Sequence, residues 1–77
     1  MEWLHVESSL IEKVSYDPKN EDLWVEFKNG ERYHYFEVPY LVYKHLIDAE
    51  SVGKYFHKHI RGRDYHWEKG EKEHRHE

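Results

Sequence analysis

Apolar and polar residues alternate along Leu23-Trp24-Val25-Glu26-Phe27, the period of a strand with one buried face. Before it, Leu10 to Tyr16 carries β-branched and aromatic side chains at Ile11, Val14 and Tyr16 and reads as a second strand. Asp17-Pro18-Lys19-Asn20 between them is turn chemistry: proline presets φ, while aspartate and asparagine satisfy nearby backbone groups. Asn29-Gly30 supplies the positive φ of a hairpin turn, and Glu31 to Val38 is the return strand. Trp3 and Val6 are placed to make a short edge strand ahead of the rest.

The hairpin register decides which rings are buried. A two-residue turn pairs Lys28 with Glu31 and sends Tyr33 and Tyr35 to the face of Trp24 and Glu26. A three-residue loop with Gly30 as a left-handed bulge pairs Phe27 with Glu31 instead. Leu23, Val25, Phe27, Tyr33 and Tyr35 then share one apolar face, and Trp24, Glu26, Lys28, Arg32, His34 and Phe36 form a mixed outer face. The second register separates apolar from polar better and is the one expected here.

Beyond the hairpin the period changes to that of a helix. Pro39 is expected at the first helical position. Val42, Leu46 and Ala49 form an i, i+4, i+7 stripe, with Tyr43 and Ile47 beside it. Ser51 is a candidate N-cap for a second helix, in which Val52, Phe56 and Ile60 recur every four residues and Arg61-Gly62-Arg63 marks the end. These elements predict an α+β domain: a small antiparallel β-meander of about three strands, then two short helices packed on one sheet face. Residues 1–67 form the domain. From Glu68 to Glu77 the composition is nearly all Glu, Lys, His, Gly and Arg, and is expected to stay disordered.

Composition adds limits. A chain of 77 residues is one domain, and a domain this small buries only about 60% of its unfolded surface. Only 38% of residues are apolar but 17% are Phe, Tyr or Trp, so the core is expected to be built from rings. The absence of cysteine excludes disulfides and thiolate chemistry. No apolar run approaches the roughly 20 residues of a membrane span, and the start of the chain has no signal-peptide pattern; a cytoplasmic, non-membrane setting is expected. The net charge of −4 argues against a general nucleic-acid coat protein. It is uneven, however: residues 1–53 carry 5 Lys+Arg against 11 Asp+Glu, and residues 54–77 carry 7 against 5.

That asymmetry points to the second helix. Lys54, Lys58, Arg61 and Arg63 lie in a stretch without an acid, with His57 and His59 among them. Clustered donors of this kind are what phosphate contacts need. A solvated face that keeps the domain soluble uses the same residues, so the cluster alone does not decide. Tyr55 or Trp24, with Phe36, would supply a ring for base stacking. His57 and His59 are two apart, so a helix points them to different sides and they cannot share an ion. His74 and His76, with Glu71 near them, fall in the tail. No zinc spacing, phosphate-cradling glycine loop or nucleophile arrangement is present. No catalytic residue, metal, cofactor or small-molecule substrate is therefore expected.

Several segments together resemble a known family, the KTSC domain: Ser8-Ser9-Leu10-Ile11, Tyr16-Asp17-Pro18, Leu23 to Gly30, the Tyr33-His34-Tyr35 unit, Val38-Pro39, Leu46, Ser51 to Phe56, and Ile60-Arg61. The resemblance covers roughly residues 6–65. The family is named for lysyl-tRNA synthetases that carry the domain at their C-terminus, and it also occurs as stand-alone bacterial or phage proteins. The resemblance implies a compact sheet-and-helix domain with a role in RNA binding. The expectation is thus a non-catalytic module that binds RNA, tRNA included, through Lys54, Lys58, Arg61, Arg63 and His57, with Tyr55 or Trp24 stacking. The alternative is a protein-interaction module, such as a phage protein acting on a host protein, using the aromatics Trp3, Trp24 and Phe36.

Overall fold

The computed structural model describes residues 2–70. Five strands form one antiparallel sheet in the order of the sequence: β1 (Leu4–His5), β2 (Ile11–Asp17), β3 (Asp22–Phe27), β4 (Arg32–Tyr35) and β5 (Trp67–Lys69). Between β4 and β5 the chain forms helix α1 (Tyr40–Asp48) and helix α2 (Val52–Phe56), and α2 runs straight into a π-helical turn, His57–Arg61.

The bulged register is the one found. Val25 pairs with Tyr33 and Leu23 with Tyr35, and the Phe27 N–H donates to the Glu31 carbonyl at 2.8 Å across a Lys28-Asn29-Gly30 loop. Gly30 has φ 91°, and the Asn29 Oδ1 accepts from the Glu31 N–H at 2.9 Å, which fixes the loop. A Cβ at residue 30 would meet nothing within 4 Å, so its penalty comes from the backbone alone. Gly30→Ala is expected to cost about 1–2 kcal/mol, read as a lower urea midpoint at unchanged slope.

The register gives the sheet its two faces. Ile11, Val14, Leu23, Val25 and Tyr35 are buried with Leu46, Val52, Phe56 and Ile60. Phe56 meets Phe27 and Tyr35 edge-on, with centroids 5.5 and 5.7 Å apart. The helices therefore cover the Phe27–Tyr35 face. The opposite face carries Glu26, buried to 8% exposure, bonded by Arg32 at 2.7 Å and approached by Lys13 at 3.9 Å. Trp3 lies over both cations, at 5.1 Å from Lys13 and 5.0 Å from Arg32.

Four expectations need correction. The sheet has five strands rather than about three. The fifth takes Glu68 and Lys69 out of the segment read as a disordered tail: His34 pairs with Glu68 and Tyr33 with Lys69. Phe36 donates to the His66 carbonyl at 2.9 Å and Gly70 to the Arg32 carbonyl at 2.7 Å at the two ends of this ladder. Composition judges side chains, whereas an edge strand is held by backbone bonds, here with Trp67 laid against Tyr33 at 5.2 Å. Residues 71–77, with His74, His76 and Glu71, lie outside the described residues. Pro39 is the N-cap of α1 and not its first residue: its ψ is 148°, and its carbonyl accepts from Val42 and Tyr43. Ala49, expected in the apolar stripe, is the extended C-cap of α1.

Candidate functional site

Ser51 starts α2 as expected, its hydroxyl accepting from the Lys54 N–H at 3.3 Å. The helix is short because the chain widens into the π turn at His57, where the Gly62 N–H reaches back to the His57 carbonyl at 3.0 Å. Phe56 and Ile60 stay fully buried through this change of winding, while His57, Lys58, Arg61 and Arg63 are exposed.

Lys54, Lys58, Arg61 and Arg63 are all exposed, and none of them enters an ion pair among the described residues. The cations elsewhere behave differently. Lys13, Lys28, Arg32, Lys44 and Lys69 each lie within 4 Å of a carboxylate: Glu26, Glu12, Glu26, Asp48 and Glu31 respectively. The unneutralised positive charge of the described domain is therefore concentrated on one helical segment.

Two clefts flank the Ser8–Leu10 bend beside this segment. The bend is held by the Ser8 hydroxyl, which accepts from the Leu10 and Ile11 N–H groups at 3.0 and 3.1 Å. On one side a cleft of about 330 Å³ is lined by Arg61 together with Ser9, Lys28, Phe27, Tyr33 and Tyr35. The Lys28 N–H ties its floor to the Leu10 carbonyl at 2.9 Å. On the other side Lys54 and His57 line a cleft of about 460 Å³ with Glu7 and Glu50. Arg61 thus lines one cleft and Lys54 and His57 the other, with Ser9 and Leu10 common to both.

The other expected site residues divide. Tyr55 stacks on His59, with centroids 4.4 Å apart, on the flank near Arg63 and Tyr65. His57 instead meets Phe56 edge-on at 5.8 Å. Trp24 does not join the basic segment. It lies on the opposite sheet face, stacked on His34 at 4.0 Å, and His34 stacks in turn on Phe36 at 3.9 Å. Trp3, Trp24 and Phe36 are half-buried in these contacts rather than open. His34 Nε2 lies 3.2 Å from Asp22 Oδ1, an ion pair when the imidazole is protonated, but its angles do not make a hydrogen bond. Among the described residues no group of three His, Asp or Glu side chains could hold a metal ion. No helix among the described residues is long and apolar enough to cross a membrane.

Ser9, Lys28, Asn29 and Tyr33 were missed as site neighbours of Arg61. The bulged register was the signal: it places Tyr33 on the helix-covered face, directly where the second helix must pack.

Tyr35 and Tyr43 have phenol pKa values raised chiefly by burial, and so do Tyr16 and Tyr55. Carboxylates Glu21, Asp17 and Asp22 add to the rise at Tyr16, while Arg61 opposes it at Tyr35. A raised folded pKa means the unfolded chain releases these protons first. Stability is then complete below the ordinary tyrosine value of about 10 and falls as pH climbs above it. The expected result is a melting temperature that drops above pH 10 in step with tyrosinate absorbance. A flat profile there would contradict the burial of these phenols.

Comparison with known proteins agrees with this architecture. The model of the KTSC domain family matches residues 7–65, and the chain belongs to that family. It is 44% identical over 59 residues to a lysine–tRNA ligase of Nostoc sp., covering 77% of this chain and 10% of the ligase. It is 33% identical over 67 residues to a protein of Stutzerimonas stutzeri, covering 87% of this chain and 94% of that one. The chain spans about a tenth of the length of the ligases it matches. The crystal structure of a KTSC domain protein from Yersinia pestis superposes with a TM-score of 0.86 at 30% identity, covering 91% of this chain and 97% of that one.

Proposed function

We propose that this domain is a non-catalytic cytoplasmic module that binds single-stranded segments of RNA, tRNA loops and ends included, along the groove beside α2. The observation that carries the reading is the contrast among cations: Lys54, Lys58, Arg61 and Arg63 are exposed and enter no ion pair among the described residues, while five others lie within 4 Å of a carboxylate. A solvated face kept only for solubility would have no reason to hold, among the described residues, every unpaired cation but Lys19 on one segment. The sequence shared with lysine–tRNA ligases is consistent with an RNA setting.

Four phosphate contacts to a single strand give a slope of log K against log salt of about −2.8. Labelled single-stranded RNA should bind at about 50 mM salt and lose affinity with that slope. Lys58→Glu combined with Arg61→Glu should weaken binding at least tenfold and halve the slope. No binding at low salt, or an affinity indifferent to the two reversals, would end this reading.

A protein-binding reading has one observation in its favour. Tyr40 and Leu41 are 51% and 63% exposed at the start of α1, beside the Tyr16–Tyr43 stack. Recovery of one protein from nuclease-treated lysate, lost in Leu41→Asp, would favour it.

A further inference from the structure

We infer that the cleft between Arg61 and the Phe27–Tyr33 rings holds one unstacked nucleotide, with its phosphate on Arg61 and its base against the rings. The inference deepens the RNA-binding reading and rests on it. It states that binding is not a uniform charge contact but has one discrete pocket for a base taken out of a stack.

The size fits. A volume of about 330 Å³ is at the lower end of small-ligand sites, about 300–1,000 Å³. The walls fit as well. Phe27 and Tyr33 meet edge-to-face, with centroids 5.3 Å apart and planes at 85°. Tyr35, two residues along β4, and Trp67 of β5 flank Tyr33 at 6.5 and 5.2 Å. Tyr33 is only half-buried, so a supported ring lies open to the cleft. Stacking a base on such a ring contributes about 1–3 kcal/mol and tolerates any base.

Charge sets the orientation. Of the cations in the cleft, Lys28 is engaged by Glu12 at 3.4 Å, while Arg61 has no carboxylate partner among the described residues. Arg61 is also close enough to bear on the Tyr35 phenol. Glu31 is the acid of the cleft, with Lys69 on its Oε2 at 3.1 Å. Arg61 therefore draws the phosphate to its side of the cleft, whose wall Ser9 shares. The base then lies toward Glu31 and Asn29, where a carboxylate can accept from an exocyclic amine.

The backbone supplies an independent pointer. The chain leaves α-helical winding at His57–Arg61, which is the segment that delivers Arg61 to the cleft. Single π turns inside helices are rare and concentrate at functional sites. Phe56 and Ile60 stay in the core across this turn, and Arg61 at its end lines the cleft. Duplexes are excluded by this geometry, because a paired base cannot present its face to Tyr33.

The test is an NMR titration of the full chain with AMP, CMP, GMP and UMP, with inorganic phosphate as control, beside RNA-binding measurements on variants. The nucleotides should shift the Arg61 Nε–H and the Tyr33 ring together and saturably, while phosphate shifts the Arg61 signal without the ring. Tyr33→Leu should weaken single-stranded RNA binding at least fivefold without altering the salt slope. Arg61→Met, at an exposed position, should abolish the mononucleotide shifts even if Tyr33→Leu does not fold. RNA binding that depends on Lys58 yet ignores Tyr33→Leu, with no mononucleotide shift in the cleft, overturns the pocket and leaves the RNA reading standing. Mononucleotides in the cleft without RNA binding support the pocket and overturn the RNA reading. Neither kind of binding overturns both.

Discussion

Phe56→Ala is expected to remove about 3–5 kcal/mol of stability, the cost of a cavity left by a large buried ring. Phe56 is fully buried and meets two rings of the sheet edge-on, Phe27 from β3 and Tyr35 from β4. It is also the last residue of α2, immediately before the winding changes. Its loss takes away the contact that seats the basic segment on the sheet. A domain of this size has a total stability of about 4–12 kcal/mol, so this one substitution removes about a quarter of it or more. Phe56→Leu keeps most of the volume and should cost about 1–1.5 kcal/mol. Urea unfolding followed by tryptophan fluorescence reads both. A cost below about 1.5 kcal/mol for the alanine variant would mean that the helix is not anchored through this ring.

The path from sequence to fold was open where side-chain period carries the information. Alternation at Leu23 to Phe27 and the four-residue recurrence of Val52, Phe56 and Ile60 each reflect one buried face, and each element is found where the period puts it. The hairpin register was legible too, because a slip of one residue would have buried Arg32 in place of Tyr33. What stayed hidden depends on backbone bonding between distant segments. Strand β5 has three exposed residues and no alternation to announce it; it forms because β4 offers an unpaired edge. The π turn was equally invisible, since Phe56 and Ile60 are as compatible with α winding as with the wider turn.

The site was legible in the same partial way. The charge run identified Lys54, Lys58, Arg61 and Arg63, but no one-dimensional pattern tells a paired cation from an unpaired one. Nor does it show that Ser9, twenty residues before the loop at Asn29, closes the same cleft. Trp24 is the outer-face ring that the bulged register implies, and it lies across the sheet from the basic segment. Once Val25 faces the helices, Trp24 must face away from them.

The difference between engaged and unengaged cations has a consequence for stability that needs no ligand. Arg32→Met strips the closest partner from Glu26, whose carboxylate is only 11% exposed and bonded by Arg32 at 2.7 Å. Removing one partner of a buried pair leaves an uncompensated charge and costs about 3–5 kcal/mol when burial is complete. Arg32 is 26% exposed and Lys13 remains 3.9 Å from the same carboxylate, so water and the second cation screen part of that penalty. About 2 kcal/mol is expected. Glu26→Gln in the Arg32→Met background removes the stranded charge and should recover part of the loss. Lys58→Met, by contrast, breaks no pair and should change stability by no more than about 0.5 kcal/mol. Paired thermal melts of Arg32→Met and Lys58→Met therefore separate the cations that hold the sheet together from those that do not. Equal losses would mean that Lys58 has a structural partner after all, and the cation contrast on which RNA binding rests would disappear.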